Sequence, residues 1–169
     1  FIRTTQLKSA MAAVPKKTRF VVLEDSIRRA LLEIAPEFAN KFATLPHPLP
    51  TSEGNRDSSE GGHGNRPIRI AFLGAAQSKK GFDSFLELAS SLTRRFPEKV
   101  EFHAIGWLPP ENAGLDLSAL ARQPSFHKIS RSEFLQALEA VDYVCMPYSQ
   151  DLYRYSASGT LLDAVATGK

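Results

Sequence analysis

The chain has 169 residues, of which 43% are hydrophobic and 23% are charged, proportions typical of a globular protein rather than a disordered one. Its net charge of +3 is mildly basic, which allows an anionic ligand but does not indicate nucleic acid. The sequence has no apolar run of membrane-spanning length and no signal-peptide pattern, and its single cysteine excludes an internal disulfide. We therefore expect a cytoplasmic location.

The first 50 residues alternate between helical and extended patterns. Apolar residues at helical spacing indicate two amphipathic helices, and short runs of β-branched and aromatic residues indicate strands. Prolines around His47 predict a stiff hinge. The predicted elements are a helix at Ile2–Val14, a buried strand at Arg19–Leu23, a helix capped by Asp25 or Ser26, a short strand at Phe42–Leu45 and an extended exit at Pro46–Pro50.

A polar segment follows, from Thr51 to Arg66. It consists mostly of Ser, Gly, Glu, Asp, Asn and Arg, and it has no large apolar residue. Such a segment cannot bury a core, so we predict an exposed linker or surface loop with few contacts. The sequence thus divides into an N-terminal part at 1–50, a linker at 51–66 and a second domain at 67–169.

From Ile68 onward, apolar strands alternate with amphipathic helices. This rhythm predicts an α/β fold with a Rossmann-like, doubly wound parallel sheet and helices on both faces. The predicted strands are Ile68–Leu73, Val100–Ile105, Phe126–Ile129 and Tyr143–Met146. The predicted helices are Asp83–Arg95, a short one at Leu115–Ala121, one that begins at the capping box Ser130–Glu133, and a last one that opens at Ser156–Thr160.

The two ends of the chain predict an incomplete fold. The chain starts at Phe1 instead of Met, and it stops at Lys169, just after a helix ends at a glycine. A parallel sheet would add its next strand at that point. We therefore expect a fragment that is truncated at both ends and inactive on its own.

Ligands of parallel open sheets bind beyond the C-terminal ends of the strands. Three loops should gather there: Gly74–Gly81, Gly106–Gly114 and Pro147–Ser158. Lys79 and Lys80 precede a predicted helix start, where a lysine can neutralise phosphate oxygens while helix amides donate hydrogen bonds. The alternative is that both lysines are merely solvated.

The last predicted helix supplies a second set of candidates. Gly159 permits close backbone approach, Ser156 or Ser158 can cap the helix, and the amides there suit a phosphate. Plain capping is the alternative. Asp163 lies about one turn inside this helix, where it can accept hydrogen bonds from ribose hydroxyls or remain an exposed helix acid.

Other polar residues carry weaker signals. His103 lies on a strand and is expected to be structural, and Cys145 lies in an apolar strand, where packing is expected instead of nucleophilic chemistry. The sequence has no Asp-x-Asp, no His/Cys cluster and no Gly-x-Gly-x-x-Gly. We therefore predict no metal site and no dinucleotide cofactor.

Together these segments resemble glycosyltransferase group 1, the retaining GT-B enzymes. The family's C-terminal domain opens with a strand, a glycine, a variable loop and a Lys-Gly pair, here Gly74 and Lys80-Gly81. The segment Asp142–Pro147 resembles a later strand of that domain, and Leu162–Gly168 resembles the family's donor-binding helix. The segment Val21–Pro50 is similar to the end of the family's N-terminal domain and its interdomain hinge.

The resemblance implies roles for particular residues. It makes Gly74, Lys80 and Gly81 donor-binding residues, with Lys80 at the diphosphate. It places Asp163 at the ribose, as the second acid of a paired motif, and the backbone amides of Ser158–Thr160 at the phosphates. Two positions depart from the family pattern. Ala75 and Ala76 stand where an arginine is usual, and Tyr155 stands where the first acid is expected. Arg154 is a candidate replacement for the lost charge.

The function implied is transfer of a sugar from a nucleotide-diphosphate donor to a glycan or lipid-linked acceptor, with retention. No cofactor or metal is implied, no nucleic-acid partner is expected, and the catalytic residue is not identified. A peripheral membrane contact through the missing half is left open. The alternative is a non-catalytic Rossmann-like module that binds a nucleotide or another protein.

Overall fold

The computed structural model describes residues 4–48, 66–149 and 153–169. The described chain is a mixed α/β protein with two small parallel sheets and helices. It divides into two compact units. The first comprises residues up to Pro48 together with a later segment that ends at Ser158, and the second comprises the part up to Ser149 and the final stretch from Gly159.

The first unit packs two helices against a two-stranded parallel sheet. Its core contains Met11, Ile27, Leu31 and Phe42, and the Phe20 and Phe42 rings lie with their centroids 6.1 Å apart. Its elements are α1 at Thr4–Ala13, β1 at Phe20–Val22, α2 at Asp25–Ile34, a 3₁₀ segment at Pro36–Lys41 and β2 at Phe42–Thr44.

Two expectations for this unit are wrong in detail. The first strand is not buried, because only one face of the two-stranded sheet packs on the core and Val21 is 59% exposed. The cap of α2 is not Asp25 or Ser26: both lie inside the helix, Glu24 is the N-cap, and its side chain makes no capping bond. The Asp25 carboxylate instead pairs with Arg29 one turn on, at 3.3 Å.

The second unit contains a three-stranded parallel sheet in the order β4-β3-β5. The prediction of three parallel strands in one sheet is confirmed, although β5 ends at Val144, two residues before the predicted Met146. The elements are β3 at Ile68–Leu73, α3 at Phe82–Arg95, β4 at Val100–Ile105, α4 at Arg131–Glu139, β5 at Tyr143–Val144 and α5 at Gly159–Ala166, with short 3₁₀ turns at Ser78–Lys80 and Pro110–Asn112.

Apolar side chains cover both faces of this sheet. On one face, α3 supplies Phe82 and Phe85, which pack against Phe72 and Phe102 of the strands. On the other face, α4 and α5 pack against a second cluster that includes Leu73 and Ile105 of the strands, with Phe134, Leu138 and Ala164 from the helices. The alternation of each strand explains this division, since successive side chains point to opposite faces.

The connection between β4 and α4 differs from expectation. Leu115–Ala121 is not helical, and Phe126–Ile129 is not a strand. Instead, the intervening chain runs parallel to β4 and its extension, with isolated bridges from Arg122 to His103 and from Ser125 to Trp107. Leu115, Leu117 and Leu120 still pack in or against the core on the α3 face, but they lie in irregular chain and not in the predicted helix, because too few residues separate the turns.

The predicted linker lies mainly outside the described residues. Its last member, Arg66, is described and makes two hydrogen bonds to the Asp142 carboxylate, at 2.8 and 2.6 Å. Asp142 also accepts the Arg69 backbone amide at 2.8 Å. The end of the linker is therefore anchored beside the first residue of β5. Within the described ranges, no helix has the length and apolarity needed to cross a membrane.

The turn after β4 provides a stability test. Gly106 has a φ of +151°, and a Cβ built there would lie 1.9 Å from the Gly74 carbonyl oxygen. We expect Gly106→Ala to reduce the free energy of unfolding, measured by urea denaturation, by about 2 kcal/mol or more. The strained φ of a non-glycine residue and the steric overlap of its Cβ with the Gly74 carbonyl both destabilise the folded state.

Gly114→Ala is the matched control. A Cβ at Gly114 meets nothing within 4 Å, so its unfolding free energy should stay the same or rise by about 0.4–1 kcal/mol. Equal stabilities for the two variants would contradict the close approach of the two turns.

Candidate functional site

A cleft of about 420 Å³ lies beyond the C-terminal ends of β3 and β4. This is the edge at which open parallel sheets bind ligands. Its lining comes from four places in the chain. The described lining residues are Gly74, Ala75 and Lys80 after β3; Gly106 and Trp107 after β4; Lys128, Ile129, Ser130, Arg131 and Phe134 at the start of α4; and Thr160 and Asp163 in α5.

Backbone hydrogen bonds join the two turns that form the base of the cleft. The Gly74 amide donates to the Ile105 carbonyl at 2.8 Å, and the Ala76 amide donates to the Trp107 carbonyl at 2.9 Å. The Asn112 side-chain amide donates to the Ala76 carbonyl at 2.6 Å. The parallel pairing of β3 and β4 thus continues past the strand ends and holds both turns in a defined register.

Lys80 projects over the first of these turns. A Cβ added at Gly74 would lie 3.1 Å from the Lys80 ammonium nitrogen, so the charge rests close to the glycine backbone. Within the described part of the chain, this ammonium has no carboxylate within 4 Å. Its neighbour Lys79 is exposed and does not line the cleft. Lys80 is therefore the lysine of the pair whose charge is available to a ligand in the cleft.

Asp163 is a buried carboxylate held by one arginine. The residue is 7% exposed, and its two oxygens each accept a 2.6 Å hydrogen bond from Arg131. These bonds raise the pKa of the Arg131 guanidinium, whose central carbon also lies 5.8 Å from the Phe134 ring. Two parallel hydrogen bonds of this kind fix the orientation of both side chains. The charges of the carboxylate and the guanidinium cancel, so the pair as a whole is neutral.

The cleft is lined by more positive than negative side chains. Lys80, Lys128 and Arg131 are positive and Asp163 is negative, so the described lining has a net charge of +2. Lys128 places its ammonium 5.8 Å from the Trp107 ring. The cleft therefore suits an anion that also presents a flat or apolar group.

The structure brings some of the sequence-derived candidates together and leaves others outside. Gly74, Lys80, Thr160 and Asp163 all line the cleft. The Thr160 hydroxyl lies 3.1 Å from the Tyr148 hydroxyl, which helps to orient the first turn of α5.

Two of the glycines are not among the lining residues. Gly81 has a φ of +78°, and a Cβ there would lie 1.9 Å from the Pro147 carbonyl oxygen, so it serves the turn into α3. Gly159 has open space around it, with nothing within 4 Å of a built Cβ. Of the three loops expected to gather at this edge, Pro147–Ser158 contributes none of the described lining residues.

Arg154 and Ser158 belong to the first unit and not to the unit that carries the cleft. The Arg154 guanidinium forms an ion pair with Glu33 and lies 6.0 Å from the Tyr155 ring. Tyr155 itself packs against the core of the first unit. Arg154, the candidate replacement for the lost charge, thus pairs with an acid of its own unit, and its proposed role stays a prediction.

Arg131 is the functional candidate that the sequence analysis missed. It lies in the first turn of α4, directly after the N-cap Ser130, whose capping box with Glu133 is present as predicted. A cation is disfavoured at a helix N-terminus, where the macrodipole is positive. The signal in the sequence was the basic residue at this unfavourable position, because it implies a carboxylate partner. The fold identifies that partner as Asp163.

The weaker candidates have structural partners. His103 hydrogen-bonds to Glu101 at 3.3 Å, and the Cys145 side chain packs against the core on the α3 face of the sheet. Among the described residues, no group of three or more His, Cys, Asp or Glu side chains is placed to hold a metal ion.

No protein-family model matches the chain, and a search of curated proteins found no match either. The case for function therefore depends on the geometry of the cleft and on the sequence motifs.

Burial raises the pKa of the Cys145 thiol, which gives a direct chemical test. A raised pKa leaves less thiolate at a given pH, so Cys145 should react with Ellman's reagent more slowly at pH 8 than a free cysteine does. We expect its rate to keep rising as the pH increases beyond the ordinary thiol range. The same chain in urea is the control, and a native rate equal to the unfolded one would contradict the burial.

Proposed function

We propose that this chain carries the nucleotide-sugar-binding domain of a retaining glycosyltransferase of the GT-B type. The observation that carries the proposal is the meeting of Gly74, Lys80, Thr160 and Asp163 in one cleft at the C-terminal edge of a parallel sheet. These residues come from two elements that are about 80 positions apart in the chain. They are also among those to which the family resemblance assigns donor-binding roles.

The diphosphate of the donor is proposed to bind between Lys80 and the first turn of α5. The Lys80 ammonium has no carboxylate partner among the described residues, and Lys128 adds a second positive charge to the lining. Helix α5 begins at Gly159, so its positive end faces the region lined by Thr160. In sugar transfer, such groups stabilise the negative charge that develops on the departing diphosphate.

The ribose of the donor is proposed to bind near Asp163. Each carboxylate oxygen can accept more than one hydrogen bond, so the bonds from Arg131 leave acceptor capacity for hydroxyl groups. The flat Trp107 ring and the apolar Ile129 provide a surface on the same cleft for a less polar part of the nucleotide. The acceptor, a glycan or lipid-linked sugar, has no assigned residues in the described chain.

A non-catalytic nucleotide-binding module is the second candidate. The observation in its favour is that Asp163 is paired with Arg131, and that Arg154 is paired with Glu33 in the other unit. The described lining of the cleft includes no histidine or cysteine, and no residue is assigned as a catalyst. Sugar transfer from a nucleotide-diphosphate donor, measured with this chain or with a longer protein that contains it, would support the enzyme over the module.

The role proposed for Lys80 predicts a loss of diphosphate affinity in Lys80→Ala. A charge-assisted hydrogen bond contributes about 1.5–3 kcal/mol, so the Kd for nucleoside diphosphates should increase roughly tenfold or more. The chain's one tryptophan, Trp107, lines the cleft, so its fluorescence can report each titration with UDP, GDP or ADP.

Lys79→Ala is the control for that measurement. It removes the same charge from a neighbouring exposed side chain outside the cleft, and we expect its Kd to change less than threefold, as screening predicts. Equal losses in the two variants would indicate a diffuse electrostatic effect and contradict a contact from Lys80.

The ribose assignment predicts a selective effect of Asp163→Asn. The wild-type chain should bind the preferred nucleoside diphosphate more tightly than inorganic pyrophosphate. The variant should lose most of that preference, roughly fivefold to tenfold, because one hydrogen bond to ribose is weakened. Calorimetric titration with both ligands measures the ratio of the two Kd values. A ratio that is the same in the variant and the wild type would contradict the ribose assignment.

A further inference from the structure

Asp163 presents an electrostatic problem for a cleft that binds diphosphate. It is 7% exposed, it lines the same cleft as Lys80, and a buried carboxylate repels an anion strongly because little water screens it. Without a counter-charge, the described lining would have two lysines against one acid, a net charge of +1. With Arg131 included, the net charge is +2.

The geometry of Arg131 is that of a counter-charge. Both of its terminal nitrogens donate to Asp163 at 2.6 Å, and its guanidinium is also positioned by the Phe134 ring at 5.8 Å. This pair uses one N–H on each terminal nitrogen and leaves the other guanidinium donors, including Nε–H, so a direct contact with a phosphate has to be tested separately. The side chain is 56% exposed and lines the cleft, so its charge lies beside the ligand space.

We propose that Arg131 is a positioning residue that allows this cleft to accept a diphosphate by neutralising and orienting Asp163. The inference rests on the proposed function, since it takes the diphosphate site as given. It assigns to Arg131 an indirect role, through Asp163, and it accounts for how an acid that could hold a ribose is tolerated beside a polyanion.

A two-residue variant series separates this role from direct ligand contact. Arg131→Gln leaves Asp163 buried and uncompensated, and it lowers the described lining charge from +2 to +1. Adding Asp163→Asn in the same chain restores +2 without restoring the guanidinium. Asp163→Asn alone raises the charge to +3.

Inorganic pyrophosphate is the probe, titrated calorimetrically into the whole chain at low ionic strength, with Trp107 fluorescence as a second readout. We expect Arg131→Gln to raise the Kd about tenfold, as the loss of a nearby partly screened charge predicts. The double variant should return to within about threefold of the wild type. Asp163→Asn alone should bind pyrophosphate more tightly than the wild type.

Several outcomes would overturn the inference. A double variant as weak as Arg131→Gln would show that the guanidinium contacts the ligand directly. If Arg131→Gln does not fold, as an unpaired buried carboxylate can cause, the Asp163→Asn variant decides: unchanged or weaker pyrophosphate binding would contradict the proposal. A wild-type chain that binds neither pyrophosphate nor any nucleoside diphosphate would instead reject the proposed function itself.

Discussion

The cleft depends on the parallel pairing of β3 and β4 continuing through the two glycines that follow them. A Cβ on Gly106 would lie 1.9 Å from the Gly74 carbonyl oxygen, so neither the turn nor its register survives a side chain there without movement. The Gly74 amide meets the Ile105 carbonyl at 2.8 Å as a consequence of this approach. Because the backbones are this close, Ala75 and Lys80 after the first turn and Trp107 after the second border one shared space.

The second constraint is electrostatic. A buried acid in the cleft opposes the binding of an anion, and here Arg131 compensates that acid through two 2.6 Å hydrogen bonds. The pair then resembles a neutral polar surface, and the two lysines set the sign of the field. This division of roles explains how ribose-type and phosphate-type recognition could share one small volume without opposing each other.

Hydrophobic periodicity predicted most of the regular elements of the second unit, because its strands and long helices are amphipathic or apolar over many residues. The three parallel strands, α3, and the capping box at Ser130–Glu133 are examples. Short segments between turns were not predictable. Phe126–Ile129 has the composition of a strand but forms no strand in the structure, and Phe126 is 69% exposed.

The candidate site was predictable to the extent that it follows from topology. Residues just after β3 and in the first turns of α5 lie at the expected edge, since parallel strands all end on the same side. The pairing of particular charged side chains could not be predicted from the sequence. Arg131 and Asp163 are 32 positions apart and Arg154 and Glu33 are 121 apart, and nothing local in the sequence marks either pair. Such partners depend on tertiary packing, and single-sequence patterns do not encode it.

The most direct test of the account is a crystal structure of the chain with the nucleoside diphosphate that binds it most tightly. The account predicts diphosphate density within about 3.5 Å of the Lys80 ammonium and the first turn of α5, with the Arg131–Asp163 pair intact and the ribose beside Asp163. Ligand density outside this cleft, or a phosphate seated on Arg131 after it has left Asp163, would contradict it.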